Sequence, residues 1–291
     1  MCGVCCGMNI LVTGRGAGGS WNIRGAQLGA VIGAQVDCHV NSVKGFDLAV
    51  VVKRPRADVL ERLRQRDIPI VWDIVDAWPQ PIGNGWDKAE CLAWLRREVA
   101  TVRPAAIVAA SAGMAEDCAD LGVPVLHLPH HARPGQRRNP VREHVKVLGY
   151  EGGEQYLGTW EPLLREECKR RGWGFFINPT SLADVDIVVA VRDCTGYAAR
   201  SWKSNVKLAN AQGSGTPCVL NRERAYVDAA SGAEQWADTP EEMTAALDRL
   251  TDYEHRKWAA QALFNNAPSI TDLGRRYRGW LVKVAERRVT A

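Results

Sequence analysis

The stretch RSWKSNVKLANAQGSGTPCVLN, residues 200–221, sets two lysines, an amide and a glycine turn in one register. A helix starting near Lys203 places Lys203, Lys207 and Asn210 at i, i+4 and i+7 on one face, with Asn205 in the same first turn. Leu208 and Ala211 are then left to pack on a sheet. Two ammonium groups and an amide near a helix N-terminus suit a diphosphate and a ribose. An ordinary solvated lysine face is the competing explanation. Gly213, Gly215 and Pro217 end the helix and turn the chain into a buried strand, PCVLN.

Around this stretch, the strands VKVLGY, GFFIN and DIVVAVR alternate with a helix through YLGTWEPLLREECKRRG. A later helix, TPEEMTAALDRL, starts with Thr239 as N-cap, Pro240 in the first turn and Glu242 at the capping-box position. The same rhythm fills residues 9–129, where NILVTG, AQVDCHV, FDLAVVVK, IPIVWDIVD, AAIVAAS and PVLHLP read as strands. DVLERLRQRD and WDKAECLAWLRREVATV read as helices between them. Near-continuous apolar strands alternating with amphipathic helices predict parallel sheets covered on both faces. The polar segment HHARPGQRRNPVREH, residues 130–144, reads as a linker.

The expected fold is therefore α/β with two Rossmann-like domains, residues 8–143 including the linker and residues 144–268. Residues 1–7 are expected to be a disordered leader. Residues 269–291 are expected to form an amphipathic helix that docks through Leu273, Tyr277, Trp280, Leu281 and Val284.

At 291 residues and 46% hydrophobic content, the chain is long enough for two cores, and its formal charge of +4 permits an anionic ligand or nucleic acid without demanding either. No apolar run approaches the roughly 20 residues needed to span a bilayer, so a cytoplasmic protein without membrane insertion is expected. Nine cysteines are scattered along the chain and read mostly as buried small hydrophobes. Cys2, Cys5 and Cys6 crowd the start, but no second cysteine or histidine pair completes a zinc set of about four ligands. No metal site is expected.

The first strand runs into glycines in ILVTGRGAGGSWNIRGAQLG, residues 10–29, where Gly14, Gly16 and Gly19 have G-x-G-x-x-G spacing. A nicotinamide-dinucleotide enzyme, an oxidoreductase or epimerase, is one reading. Asp37 lies near the position of a ribose-binding acid, and Tyr253 and Lys257 have the four-residue spacing such enzymes use. Tyr253 nevertheless follows the whole second α/β unit, and SWNIRG puts Trp21 and Arg24 where a small apolar helix face is expected.

Lys203, the pair Lys207–Leu208, the pair Asn210–Ala211 and the turn Gly215–Thr216–Pro217 together resemble the donor-site helix of GT-B glycosyltransferases of the "group 1" type. The resemblance covers most of residues 145–265. VKVLGYEG, with Gly152, is similar to the first strand and glycine turn of that family's nucleotide-binding domain, and LADVDIVVAVR to the strand before its donor helix. It implies two domains facing each other across a cleft, a nucleotide-diphosphate sugar as donor, no permanently bound cofactor and no metal. Many members carry Glu where this chain has Asn210, and an amide brings hydrogen bonds without charge.

The resemblance also implies that the first glycine loop, Gly16, Gly18 and Gly19 with Ser20, Trp21 and Arg24 at the cleft mouth, faces donor phosphates or acceptor. Lys203, Lys207 and Arg192 would neutralise the leaving diphosphate. Asp76, at the carboxyl end of a strand, and His130 and His131, after PVLHLP, are the candidate bases for an acceptor hydroxyl, with Asp73 structural. Eleven tryptophans and the clusters RRNPVREH, KRRGW and RRYRGW suit DNA contacts. A hydroxymethylated pyrimidine in DNA, as in small phage enzymes of this architecture acting in the host cytoplasm, is therefore one acceptor class, and it requires base flipping. A saccharide or small molecule is the other. A non-catalytic nucleic-acid binder on the same fold is the third alternative.

Overall fold

The computed structural model describes residues 7–54, 56–76 and 85–289. Cys2, Cys5, Cys6 and nearly all of the expected leader fall outside these residues. By residue contacts the chain forms two units. Ala89–Leu128 and the C-terminal helix Ile270–Val289 join the N-terminal part in the first, and Pro129–Ser269 makes most of the second.

The first unit holds six strands: β1 (Ile10–Gly14), β2 (Gln35–Val36), β3 (Leu48–Val52), β4 (Ile70–Asp73), β5 (Ala106–Ala109) and β6 (Val125–His127). They pair in parallel in the order β2-β1-β3-β4-β5-β6. The second holds β7 (Val147–Tyr150), β8 (Gly174–Ile177), β9 (Ile187–Ala190), β10 (Cys218–Leu220) and β11 (Gln235–Trp236), parallel in the order β11-β10-β9-β7-β8. The reading of AQVDCHV as a strand shrinks to two residues, and β11 was not marked by its sequence. Such short edge strands leave little periodicity to read.

Strand alternation divides each sheet between two packed faces. In the first sheet Ile10, Val12, Leu48, Val50 and Val108 meet Leu28 and Ile32 and, from the C-terminal helix, Tyr277, Leu281 and Val284. That helix docks by the expected face and completes the first unit rather than standing apart. In the second sheet Leu148, Tyr150, Ile187 and Val189 share one core with Leu164 and Leu247, while Val188, Ala190, Cys218 and Leu220 share the other with Leu208, Ala211 and Leu263.

The domain boundary expected after 143 falls between Leu128 and Pro129. The reason is visible in the supposed linker. The Asn139 side chain donates to the carbonyls of Leu182 and Val185, and Arg142 pairs with Asp186, so the segment is built into the second unit. Four of the six described cysteines are buried and all six are free thiols. No helix among the described residues is long and apolar enough to cross a membrane.

Arg24 departs from expectation. It is 1% exposed, and its guanidinium donates through Nε to Asp73 at 2.8 Å, through a terminal nitrogen to the same carboxylate at 3.3 Å and to the Leu128 carbonyl at 2.9 Å. It lies at the centre of a π-helical stretch, Trp21–Gln27, inside the helical run that follows β1. A fork-shaped cation paired with two acceptors beneath the sheet edge ties that run to the ends of β4 and β6. Asp73 is accordingly structural.

Removing Asp73 strands a buried guanidinium. Asp73→Ala is expected to lose about 3–5 kcal/mol of unfolding free energy in a urea titration. Tyr277 lies in the same buried neighbourhood, and its hydroxyl has no hydrogen-bond partner among the described residues. Tyr277→Phe removes an unsatisfied polar atom and is expected to leave stability unchanged or raise it by about 1 kcal/mol.

Candidate functional site

In both sheets the first strand lies inside the sheet, and successive strands go to opposite sides of it: β2 and β3 flank β1, and β8 and β9 flank β7. Open parallel sheets bind ligands at such a reversal, beyond the carboxyl ends of the strands. Each unit has a candidate site there.

In the second unit the reversal lies between β7 and β9, and Lys207 is its central residue. Lys207 is 9% exposed, and its ammonium nitrogen has no hydrogen-bond partner among the described residues. Nζ stands over the Tyr150 ring, 4.1 Å from the centroid. A Cβ on Gly152 would lie 3.0 Å from Nζ and 3.1 Å from the Tyr150 hydroxyl, and Gly152 has φ +143°. Gly152 is held there by Asn178, whose Oδ1 accepts its N–H at 2.8 Å and whose Nδ2 donates to its carbonyl at 3.0 Å. The glycine turn after β7 is thus clamped so that its bare side faces the lysine.

Burial drives the Lys207 ammonium well below its ordinary value, and the nearby Arg192 charge pushes the same way. Arg192 belongs to a pair. Its Nε donates to Glu223 at 2.6 Å, and a terminal nitrogen donates to the Tyr226 hydroxyl at 3.2 Å. Burial works against its charge, but Glu223 and Tyr226 together more than offset this and keep the guanidinium ionised. Burial also lifts the Tyr150 phenol to about 12. Glu151 is paired with Arg133, and it accepts from Asn210 Nδ2 at 2.9 Å.

The donor residues expected from the sequence separate into two groups. Lys207, Gly152 and Arg192 meet at the β7/β9 edge, with Arg192 acting through its pair with Glu223. Asn210 reaches the same edge with both ends of its amide engaged, Oδ1 accepting the Arg133 backbone N–H at 3.1 Å.

Two others depart from expectation, while Leu208 packs on the sheet as its side of the helix predicts. The helix spans Val206–Ser214, so Lys203 precedes it, its Nζ 5.8 Å from the Tyr156 ring centroid. Asn205 accepts the His130 N–H at 2.8 Å and donates to the His130 carbonyl at 3.3 Å, which ties its amide to the backbone there. Leu208 is fully buried in the core. Buried Trp202 and the tethered Asn205 hold 202–205 out of the helix, which breaks the expected i, i+4 register. His130 and His131 are each 2% exposed, and His131 Nδ1 lies 2.9 Å from the Ala132 carbonyl, which can only accept, so that nitrogen carries the proton.

In the first unit the reversal lies between β1 and β3. A cavity of about 340 Å³ there is lined by Arg15, Gly18, Gly19, Ser20 and Trp21 from the glycine loop and by Lys53 and Arg54 after β3. Gly18 has φ +84°, and neither Gly18 nor Gly19 has any neighbour where a Cβ would project. The other glycines of the motif serve packing: a Cβ on Gly14 would lie 3.1 Å from the Trp21 ring, and one on Gly16 would lie 2.6 Å from Cys38 Sγ. Asp76 forms an ion pair with Lys53, one of the residues lining this cavity. Arg24 is buried and does not line it.

Comparison with solved structures gives extensive matches. HepE of Anabaena, crystallised with UDP and glucose, matches with a TM-score of 0.64 and 11% identity, over 95% of this chain and all of that one. The chain has the GT-B fold. Sucrose-phosphate synthase of Thermosynechococcus elongatus matches with a TM-score of 0.62 and 11% identity over the same shares. WaaG, a glycosyltransferase involved in lipopolysaccharide biosynthesis, matches at 0.55 and 13%, over 92% of this chain and 98% of that chain. No family model and no curated protein sequence matches.

Within this GT-B chain Tyr150, Glu151, Asn178, Glu223 and Tyr226 were not singled out by sequence. Asn178 follows β8, whose side chains alternate between exposed and half-buried, and Glu223 precedes the short helix after β10. Gly152→Ala tests the clamp. It forces a Cβ into a left-handed position against Lys207, and a stability loss of roughly 1–3 kcal/mol is expected in a urea titration.

Proposed function

We propose that this protein is a glycosyltransferase that moves a sugar from a nucleotide-diphosphate sugar to an acceptor hydroxyl. The observation that carries the proposal is the buried, unpartnered Lys207 amino group beside the bare face of Gly152 at the β7/β9 reversal. A diphosphate entering there meets a desolvated amine already in position, which as an ammonium stabilises the charge developing on the leaving diphosphate. The GT-B fold and the UDP seen with HepE support a nucleotide donor.

On the acceptor side, the cavity under Gly18 and Gly19 receives the acceptor, and Asp76, held by Lys53, is the proposed base. His130 is the weaker choice, because its backbone is tied to Asn205 and its ring is buried. The arginine clusters that suggested DNA are largely engaged within the protein. Arg137 pairs with Asp184, Arg170 and Arg171 with Glu167, and Arg275 with Asp272. This favours a saccharide or small-molecule acceptor over DNA.

A thermal-shift panel of UDP, GDP, CDP, ADP, NAD and NADP tests the donor. A nucleoside diphosphate at about 100 times its dissociation constant is expected to stabilise the protein by roughly 2.7 kcal/mol, and Lys207→Met to reduce that shift without removing it. Stabilisation by NAD or NADP alone would reject the proposal in favour of a dinucleotide enzyme. Labelled-sugar transfer to hydroxymethylated DNA and to saccharides then separates the acceptor classes.

A further inference from the structure

Lys207 differs from a surface lysine in what surrounds it. An ammonium has three N–H donors, and here none has an acceptor among the described residues. Its acidic neighbours pair elsewhere. Glu223, beyond the end of β10, is bound through Oε1 to Arg192, which follows β9, while its Oε2 has no hydrogen-bond donor among the described residues, Lys207 included, and Glu151, after β7, is bound to Arg133. Lys203, just before its own helix, adds a further positive charge. Tyr150 contributes a ring face, which attracts a cation weakly. No carboxylate is left whose first partner is Lys207, and a buried charge without a partner or hydrogen bonds is costly.

Resting on the donor reading above, we infer that Lys207 is a neutral amine in the empty protein and takes one proton from solvent when a nucleoside diphosphate enters, so that donor binding is proton-coupled. The phosphate oxygens supply both the countercharge and the acceptors that the empty site lacks. The proton leaves a protonated buffer molecule, whose own bond to it breaks, and forms the third N–H bond of the ammonium, with no covalent change in the nucleotide. The lowered proton affinity that burial and Arg192 impose on this amine agrees with the geometry. The site then discriminates strongly for the charged diphosphate over an uncharged nucleoside, because only the former stabilises the ammonium.

The sign is fixed by linkage. A ligand that binds together with a proton binds more weakly as pH rises. Between Lys207's ionisation in the empty protein and its higher value in the complex, the dissociation constant rises about tenfold per pH unit. A terminal phosphate loses its last proton near pH 6, so above about pH 7.5 the nucleotide's own ionisation does not contribute.

Two measurements on the full chain test this. In carbon-13 lysine-labelled protein the Lys207 Cε resonance, assigned by its absence in Lys207→Met, reports the amine's charge at about pH 8, where an ordinary lysine is fully protonated. It is expected in its neutral position and is expected to move to the charged position on adding UDP, GDP or ADP, whichever binds. Calorimetric titration of the same nucleotides in HEPES and in Tris is expected to show uptake of about one proton, retained in Lys203→Ala and lost in Lys207→Met. A charged Lys207 in the empty protein, or nucleotide binding without proton uptake, overturns the inference and leaves the donor reading standing. A neutral Lys207 with no binding of any of the three nucleotides overturns both.

Discussion

A wholly parallel sheet must carry its chain from the carboxyl end of each strand back to the amino end of the next, and in both units the chain starts inside the sheet. Strands are then added to one side of the first strand and afterwards to the other. The loops that leave neighbouring strands at the reversal diverge, and a crevice opens between them. The glycine turns after β1 and β7 both stand at such a crevice. Their sequences differ, but each meets the same requirement, a backbone that passes close to whatever the crevice holds.

Around the two crevices the polar groups are arranged differently. Beneath the first, Arg24 and Asp73 are buried together, and the pair fixes the helical run after the glycine loop to distant strand ends. At the second, Arg192 and Glu223 form a comparable buried pair, yet Lys207 nearby is left without a partner. A paired buried charge is a structural device, while an unpaired one costs stability wherever it gives nothing to a ligand. The contrast sets the paired charges that hold the fold apart from the unpartnered Lys207 on which the donor proposal rests, and it places Arg24 with the scaffold.

That Lys207 and Gly152 come together is foreshadowed by local patterns, a lysine in the first turn of a glycine-ended helix and a glycine turn just after a strand. Helical register carried back to Lys203 fails because residues 202–205 are not helical, with Trp202 and Asn205 both buried there. Asn178, Glu223 and Tyr226 carried no local pattern at all. They reach the site because β8 and β10 end beside β7 and β9, a juxtaposition that sequence spacing does not encode.

By itself the sequence determined the alternation of strand and helix, the two α/β units, the docking face of the C-terminal helix and the glycine turns, because each follows from periodicity or from backbone chemistry within a few residues. Tertiary structure decided which charges are neutralised. Whether Arg24 meets Asp73, Arg192 meets Glu223 and Lys207 meets nothing depends on which strand ends lie side by side. Coulomb attraction and desolvation act through space over a few ångströms, whatever the distance along the chain.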